Sequence, residues 1–218
     1  MNDELDMQVE KFGPMLEQIK GLFFEFGIKN LNMDDISRKL GISKKTLYRF
    51  VKSKEDLISK LFEYEEIKGI AYANENENLN ENAIEKLFNA SLMVFEEMKR
   101  FNPMIMFELR KYYEQLFSEF HARKLAQISQ SMQVNLKQGI EEGLYRADVN
   151  IEAVVALFIN YLTEIHNSDM CKTVNLSFDE LFKVMFENHI RAISTPAGVA
   201  FFEARKKEVL ENLKNNNQ

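Results

Sequence analysis

Between Asn32 and Leu57, two short runs with helical apolar spacing stand only three residues apart, joined by Gly41-Ile42-Ser43. A connection that short forces two helices to cross steeply, so their angle is set by the side chains buried between them. The first run opens at Asn32, an N-cap followed by Asp34 and Asp35, whose charges suit the positive end of the helix dipole; Ile36 and Leu40 supply its buried side. Gly41 stops it. Ser43 caps the second helix, expected from Lys44 to about Val51, with Ile42 and Leu47 turned inward. Upstream, Met15, Leu16, Ile19, Leu22, Phe23 and Phe26 recur at helical spacing and predict a first helix ending in an αL cap at Gly27. Downstream, Ser53 with Glu55 and Asp56 opens a fourth, whose Leu57, Ile58, Leu61 and Phe62 pack back on the others before it runs toward Tyr72.

The remainder keeps the helical period. Eight Gly and three Pro in 218 residues leave few places for turns, and 45% hydrophobic residues are enough for a buried core, so the fold class expected is all-α. Helices are expected near residues 82–101, 103–118, 119–143, 150–169, 177–194 and 198–214, with the Asn-rich stretch 74–82 as a polar connection. This gives two domains, an N-terminal three-helix helix-turn-helix unit at 8–68 and a C-terminal helical bundle at 82–214. The single Cys171 excludes an intramolecular disulfide and any CxxC pair, as in a reducing compartment. The longest apolar run, Val154 to Ile159, is too short to span a bilayer, and the N-terminus has no basic-then-apolar signal pattern, so the expected location is cytoplasmic, with no membrane partner.

Net charge is −6, which by itself opposes binding to a polyanion. Its distribution does not. Ser37 to Lys54 holds Arg38, Lys39, Lys44, Lys45, Arg49, Lys52 and Lys54 with no acidic residue. With Leu47 pointing inward, Lys44 and Val51 lie on the flank of the second short helix, and Lys45, Tyr48, Arg49 and Lys52 project from its outer face. Cations beside an aromatic hydroxyl suit phosphates and base edges, while Lys54 and the amides opening the next helix are placed to share a phosphate.

The segment Asn32 to Leu57 resembles the DNA-binding domain of TetR-family (TetR/AcrR-type) transcriptional regulators through Gly27, the cap at Asn32, Asp35-Ile36, Gly41-Ile42-Ser43, Thr46-Leu47-Tyr48 and Lys52-Ser53-Lys54-Glu55-Asp56-Leu57. The likeness covers roughly residues 10–60. It departs from the family at Val51, commonly Phe, at Ser37 for a usual Ala, at Asn32 for a usual Thr, and in an acidic N-terminus where relatives often carry basic residues. The resemblance implies that Lys44, Lys45, Thr46 and Tyr48 meet an operator, Tyr48 usually on phosphate, and that the chain is a transcription regulator, usually a repressor. It implies a homodimer through residues 150–194, where Ile151, Val154, Val155, Phe158, Leu162 and Ile165 form one helical stripe and Phe178, Leu181, Phe182, Met185, Phe186, Ile190 and Ile193 another. A two-fold pair of reading helices calls for a palindromic duplex. The resemblance also favours a small-molecule inducer, apolar or amphipathic, among soft and aromatic residues including Phe95, Met98, Met106, Phe107, Tyr113 and Phe117, for which plain core packing is the competing account.

No enzyme, cofactor or metal site is expected. His121, His166 and His189 are the only histidines; only His166 with Asp169 has a metal-like i, i+3 spacing, and a half-exposed helical histidine accounts for each. GxSxG, GxGxxG and GxxxxGK[ST] are all missing. The rival from another class is a helical protein-protein interaction module that keeps the three-helix unit as a scaffold without binding DNA.

Overall fold

The computed structural model describes residues 2–77, 80–99, 102–165 and 176–215, and within these it leaves aside the side chains of 2–11, 72–77, 96–99, 103, 165 and 210–215. The described residues form helices and no strand: α1 (Asn2–Phe26), α2 (Met33–Lys39), α3 (Lys44–Leu47), α4 (Lys54–Glu77), α5 (Ala83–Lys99), α6 (Pro103–Tyr112), α7 (Glu114–Glu141), α8 (Ile151–Ile165), α9 (Phe178–Ile193) and α10 (Pro196–Asn215). The all-α expectation holds. Cys171, His166 and Asp169 lie outside the described residues. Among the described residues no helix is long and apolar enough to cross a membrane.

The chain divides into two compact units, one of residues 1–78 and 101–124, the other of 79–100 and 125–218. The first is larger than the 8–68 expected, because α6 and the start of α7 bury Ile105, Leu109 and Phe117 in the same core as α1 and α4. α1 contributes Phe12, Leu16, Ile19 and Phe23, one stripe at helical spacing, and α4 contributes Leu57, Ile58, Leu61 and Phe62. Two stacked ring pairs tie distant segments together: Phe12 with Phe50 at 4.8 Å, and Phe62 with Phe120 at 4.2 Å. α4 continues through the Asn-rich tract as far as Glu77 instead of stopping near Tyr72. Alternating Glu is a good helix former and each Asn costs only a few tenths of a kcal/mol, or about 0.7 at most, so composition alone did not end the helix.

Where one helix was expected to run from 103 to 118, α6 ends at Tyr112 and α7 begins at Glu114. Tyr113 caps the break with φ −137° and ψ 39° and packs its ring against the first core.

The second unit is built on Val155, Phe158 and Leu162 of α8 and Phe182, Phe186, Ile190 and Ile193 of α9, the stripes read from the sequence, together with Phe88 of α5 and Phe202 of α10. Phe88 and Phe186 meet edge to face at 6.3 Å, and Phe202 closes the cluster at 6.1–6.2 Å from each. Between α7 and α8 the chain turns at Gly143 (φ 71°) and plugs the core with Tyr145, whose hydroxyl donates to Asn135 Oδ1 at 3.1 Å while Asn135 Nδ2 donates to the Ala83 carbonyl at 2.7 Å. Burial pushes the Tyr145 phenol far up, so it stays a neutral donor. His189 sits against Phe158 at 4.7 Å with its Nε2 buried and unpartnered among the described residues, and burial pushes its pKa down to about 4. It is a neutral histidine packed against the core, more enclosed than the half-exposed helical histidine expected from the sequence.

Gly139 is the residue that lets Tyr145 in: a Cβ there falls 2.0 Å from Tyr145 Cδ2. Neither the helix backbone nor a ring held on all sides has room to give. Gly139→Ala is therefore expected to destabilise the second unit by about 1–3 kcal/mol or more, read as a lower midpoint in urea unfolding, whereas alanine at exposed Gly21 lowers nothing.

Candidate nucleic-acid interface

Local chemistry builds the α1–α4 segment. α1 ends at Gly27, which takes φ 82° and donates its N–H to the Phe23 carbonyl at 2.9 Å. Asn32 then caps α2, its Oδ1 accepting from the Asp34 and Asp35 amides at 2.9 Å, while Asp35 returns a carboxylate to the Asn32 N–H at 3.2 Å. Gly41 (φ 68°) ends α2, and Ser43 Oγ accepts from the Thr46 amide at 3.0 Å to start α3. Ser53 Oγ accepts from the Asp56 amide at 3.1 Å at the start of α4.

α3 is a single turn, shorter than the helix to Val51 expected from the sequence, because the chain tightens after Leu47: Arg49 and Phe50 donate to the carbonyls three residues back, at 3.2 and 3.0 Å. The cause lies in the core. Val51 is buried instead of lying on the flank, and Phe50 stacks on Phe12, so the backbone is drawn under α1. Leu47 and Ile36 are fully buried, and Leu40 and Ile42 pack beside them.

With those side chains inside, Lys44, Lys45, Tyr48, Arg49 and Lys52 are exposed and Thr46 is half-buried, its hydroxyl 2.7 Å from Ser43 Oγ. Their charges differ in availability. Lys44 Nζ is held by Asp34 at 2.6 Å, which raises its pKa, and lies 5.9 Å from the Tyr48 ring centroid. Arg38 pairs with Asp35, and Lys39 Nζ sits 3.4 Å over the Phe26 ring. Lys54 points inward: its ammonium donates to the Ile28 carbonyl, and burial lowers its pKa against the pull of Glu108 and Asp35. That leaves Lys45, Arg49 and Lys52 as the cations of the run whose side chains have no hydrogen-bond, ion-pair or ring partner among the described residues; all three are exposed, as is Tyr48, Lys45 within α3 and Arg49 and Lys52 in the turn that follows it.

The residues read as lining a ligand site are distributed over both units. Met106, Tyr113 and Phe117 pack into the first core, Phe95 packs against the second, Phe107 is exposed, and the side chain of Met98 lies outside the described residues. Sequence reasoning passed over Glu108. This α6 carboxylate is 6% exposed, and its Oε2 accepts from the amides of Ile28 and Lys29 at 2.6 and 3.0 Å. Those partners are 80 and 79 positions away, so no local pattern betrays it.

The segment and the fold both have counterparts among known proteins. Residues 16–61 match the family of bacterial regulatory proteins, tetR family. No curated protein matches the chain in sequence. Among solved structures, a transcriptional regulator from Cytophaga hutchinsonii superposes with a TM-score of 0.68 at 15% identity, covering 85% of this chain and 99% of its own. The fatty acid degradation regulator FadR from Bacillus halodurans gives 0.64 at 17% identity over 83% and 94%. A TetR-family transcriptional regulator from Agrobacterium tumefaciens gives 0.59 at 18% identity over 85% and 98%. At these identities the likeness is one of fold.

The geometry separates two roles on α3, inward anchoring and outward presentation. Leu47→Ala is expected to cost about 2–5 kcal/mol of stability, and Lys45→Ala next to nothing, in paired thermal or urea unfolding of the two variants.

Proposed function

The chain carries the TetR-family segment at residues 16–61 within the fold of TetR-family regulators, and from that premise we propose that it regulates transcription by gripping a palindromic DNA operator as a homodimer. One observation carries the reading: Lys45, Arg49 and Lys52, their side chains unpaired, are exposed together with Tyr48 on α3 and the turn that follows it, a segment anchored from inside by Leu47. Unpaired cations release counterions from phosphates and form bidentate contacts with guanine edges, and a phenol hydroxyl donates to phosphate. In this reading Lys44, Thr46 and Tyr48 fix the register on the backbone, Lys45 and Arg49 reach the groove, and Lys52 completes the phosphate contacts. Lys54 acts from inside the fold. No catalytic role is assigned.

The dimer follows from α8, which is apolar on more than one side. Val155, Phe158 and Leu162 enter the core, yet Leu157 and Tyr161 are 58% and 53% exposed on the other side, with Ala153 and Ala156 beside them, and Val184 of α9 is 57% exposed. A helix apolar all round calls for burial on both faces, and a second copy meeting the same stripe closes a two-fold interface within 150–194. Repression, released by a small apolar or amphipathic ligand, completes the proposal.

Selecting duplexes from a random pool with the purified protein is expected to enrich a palindrome whose half-sites lie about one DNA turn, roughly 34–36 Å, apart. Affinity for it falls steeply with salt, Lys45→Ala weakens it by ~1–3 kcal/mol, and Tyr48→Phe weakens it less. Salt-independent binding, or both variants binding like wild type, would instead favour an interaction module that uses the three-helix unit as a scaffold.

Leu157→Glu places a charge in the proposed interface without touching the protomer core. Sedimentation equilibrium is expected to show a dimer for wild type and a monomer for the variant; a dimer that survives the change puts the contact elsewhere.

A further inference from the structure

The turn that follows α1 is folded around a carboxylate. After Gly27 takes its left-handed conformation, the N–H groups of Ile28 and Lys29 point to a common spot, the kind of backbone concavity that binds anions. Glu108 Oε2 fills it, at 2.6 and 3.0 Å, and Glu108 Oε1 lies 3.3 Å from where a Gly27 side chain would begin. Two further bonds run alongside: Asn102 Nδ2, at the head of α6, donates to the Phe24 carbonyl at 3.0 Å, and Lys29 Nζ donates to Tyr112 Oη at 3.0 Å near its end. The same turn holds the other side of the motif, because the Ile28 carbonyl accepts the Lys54 ammonium from the first residue of α4, only six positions beyond Tyr48.

We propose that Glu108 is a positioning residue for DNA recognition: by seating on the Ile28 and Lys29 amides it fixes the turn to which Lys54, and through Lys54 the reading turn α3, is tied. The proposal rests on the DNA-reading function above and adds the element that sets the attitude of the reading face. The Glu108 carboxylate is buried, so it contributes nothing by touching DNA. Its removal makes two opposed demands. Electrostatics alone predicts tighter binding, since a negative charge leaves a domain that meets a polyanion; loss of position predicts weaker binding to the specific duplex only.

The test uses the full chain as wild type, Glu108→Ala and Glu108→Gln, with the duplex enriched by wild type from a random pool and an unrelated duplex of equal length. Glu108→Ala is expected to bind the enriched duplex about tenfold more weakly, or worse, with the unrelated duplex held equally or more tightly. Glu108→Gln, whose amide oxygen accepts from the same two N–H groups, is expected to recover most of the affinity. Amide exchange at Ile28 and Lys29 is expected to quicken in Glu108→Ala and to stay near wild type in Glu108→Gln. Equal binding of the enriched duplex by wild type and Glu108→Ala overturns the proposal. So does a parallel loss on both duplexes with a falling melting temperature, which is what a merely structural carboxylate would give. If wild type enriches no duplex, the regulatory reading itself fails, a result distinct from a wild-type operator that Glu108→Ala binds unchanged.

Discussion

Burial of Leu47 beneath α1 and α4 is the interaction from which the arrangement of the motif follows. A helix of one turn cannot hold its own direction, since nucleating so short a segment is unfavourable in isolation. Its conformation comes from the anchors on either side: Ile36 and Leu47 with no exposed surface, Val51 pulled under, and Phe50 stacked on Phe12. Because α2 and α3 are joined by three residues, fixing these anchors fixes both helices. The positions alternating with the anchors are then turned toward solvent whatever their chemistry, and in this chain their chemistry is cationic.

The acidic balance of the whole protein makes that local placement informative. Carboxylates are not simply kept away from the motif; they are used within it. Asp34 and Asp35 serve the head of α2, Asp56 accepts from the Lys52 amide at 2.6 Å, and Glu108 serves the turn after α1. Asp35, Asp56 and Glu108 accept from backbone N–H groups that would otherwise lack partners, and Asp34 and Asp35 hold cations, Asp34 taking Lys44 and Asp35 taking Arg38. What remains unpaired is the small set at Lys45, Arg49 and Lys52, a narrower surface than the seven cations of Ser37–Lys54 suggest.

The parts of this fold that sequence made legible are those with short-range causes. Asn32, Ser43 and Ser53 act on amides two or three residues ahead, Gly27 and Gly41 are needed where φ turns positive, and the apolar stripes of α1, α8 and α9 repeat every turn. What was not legible depends on distant partners. Lys54 reads as a phosphate ligand from its place at a helix start, but the carbonyl that captures it is 26 residues upstream. Glu108 looks like an ordinary surface Glu of an amphipathic helix until α6 is laid against the end of α1. The split between α6 and α7 at Tyr113, and the allotment of α6 to the N-terminal unit, likewise follow from packing that no window of sequence contains.

The pair between Lys44 and Asp34 has a consequence for how tightly such a surface can hold a polyanion. For Lys44 to meet a phosphate oxygen, it must first leave a carboxylate oxygen 2.6 Å away, and both ends of the pair are solvent-exposed. The swap trades one anion for another, so its net gain is small and depends on whether a phosphate arrives where Asp34 stood. Such a contact acts as a vernier: it adds little grip on an arbitrary backbone and rewards only the alignment that lets the exchange complete.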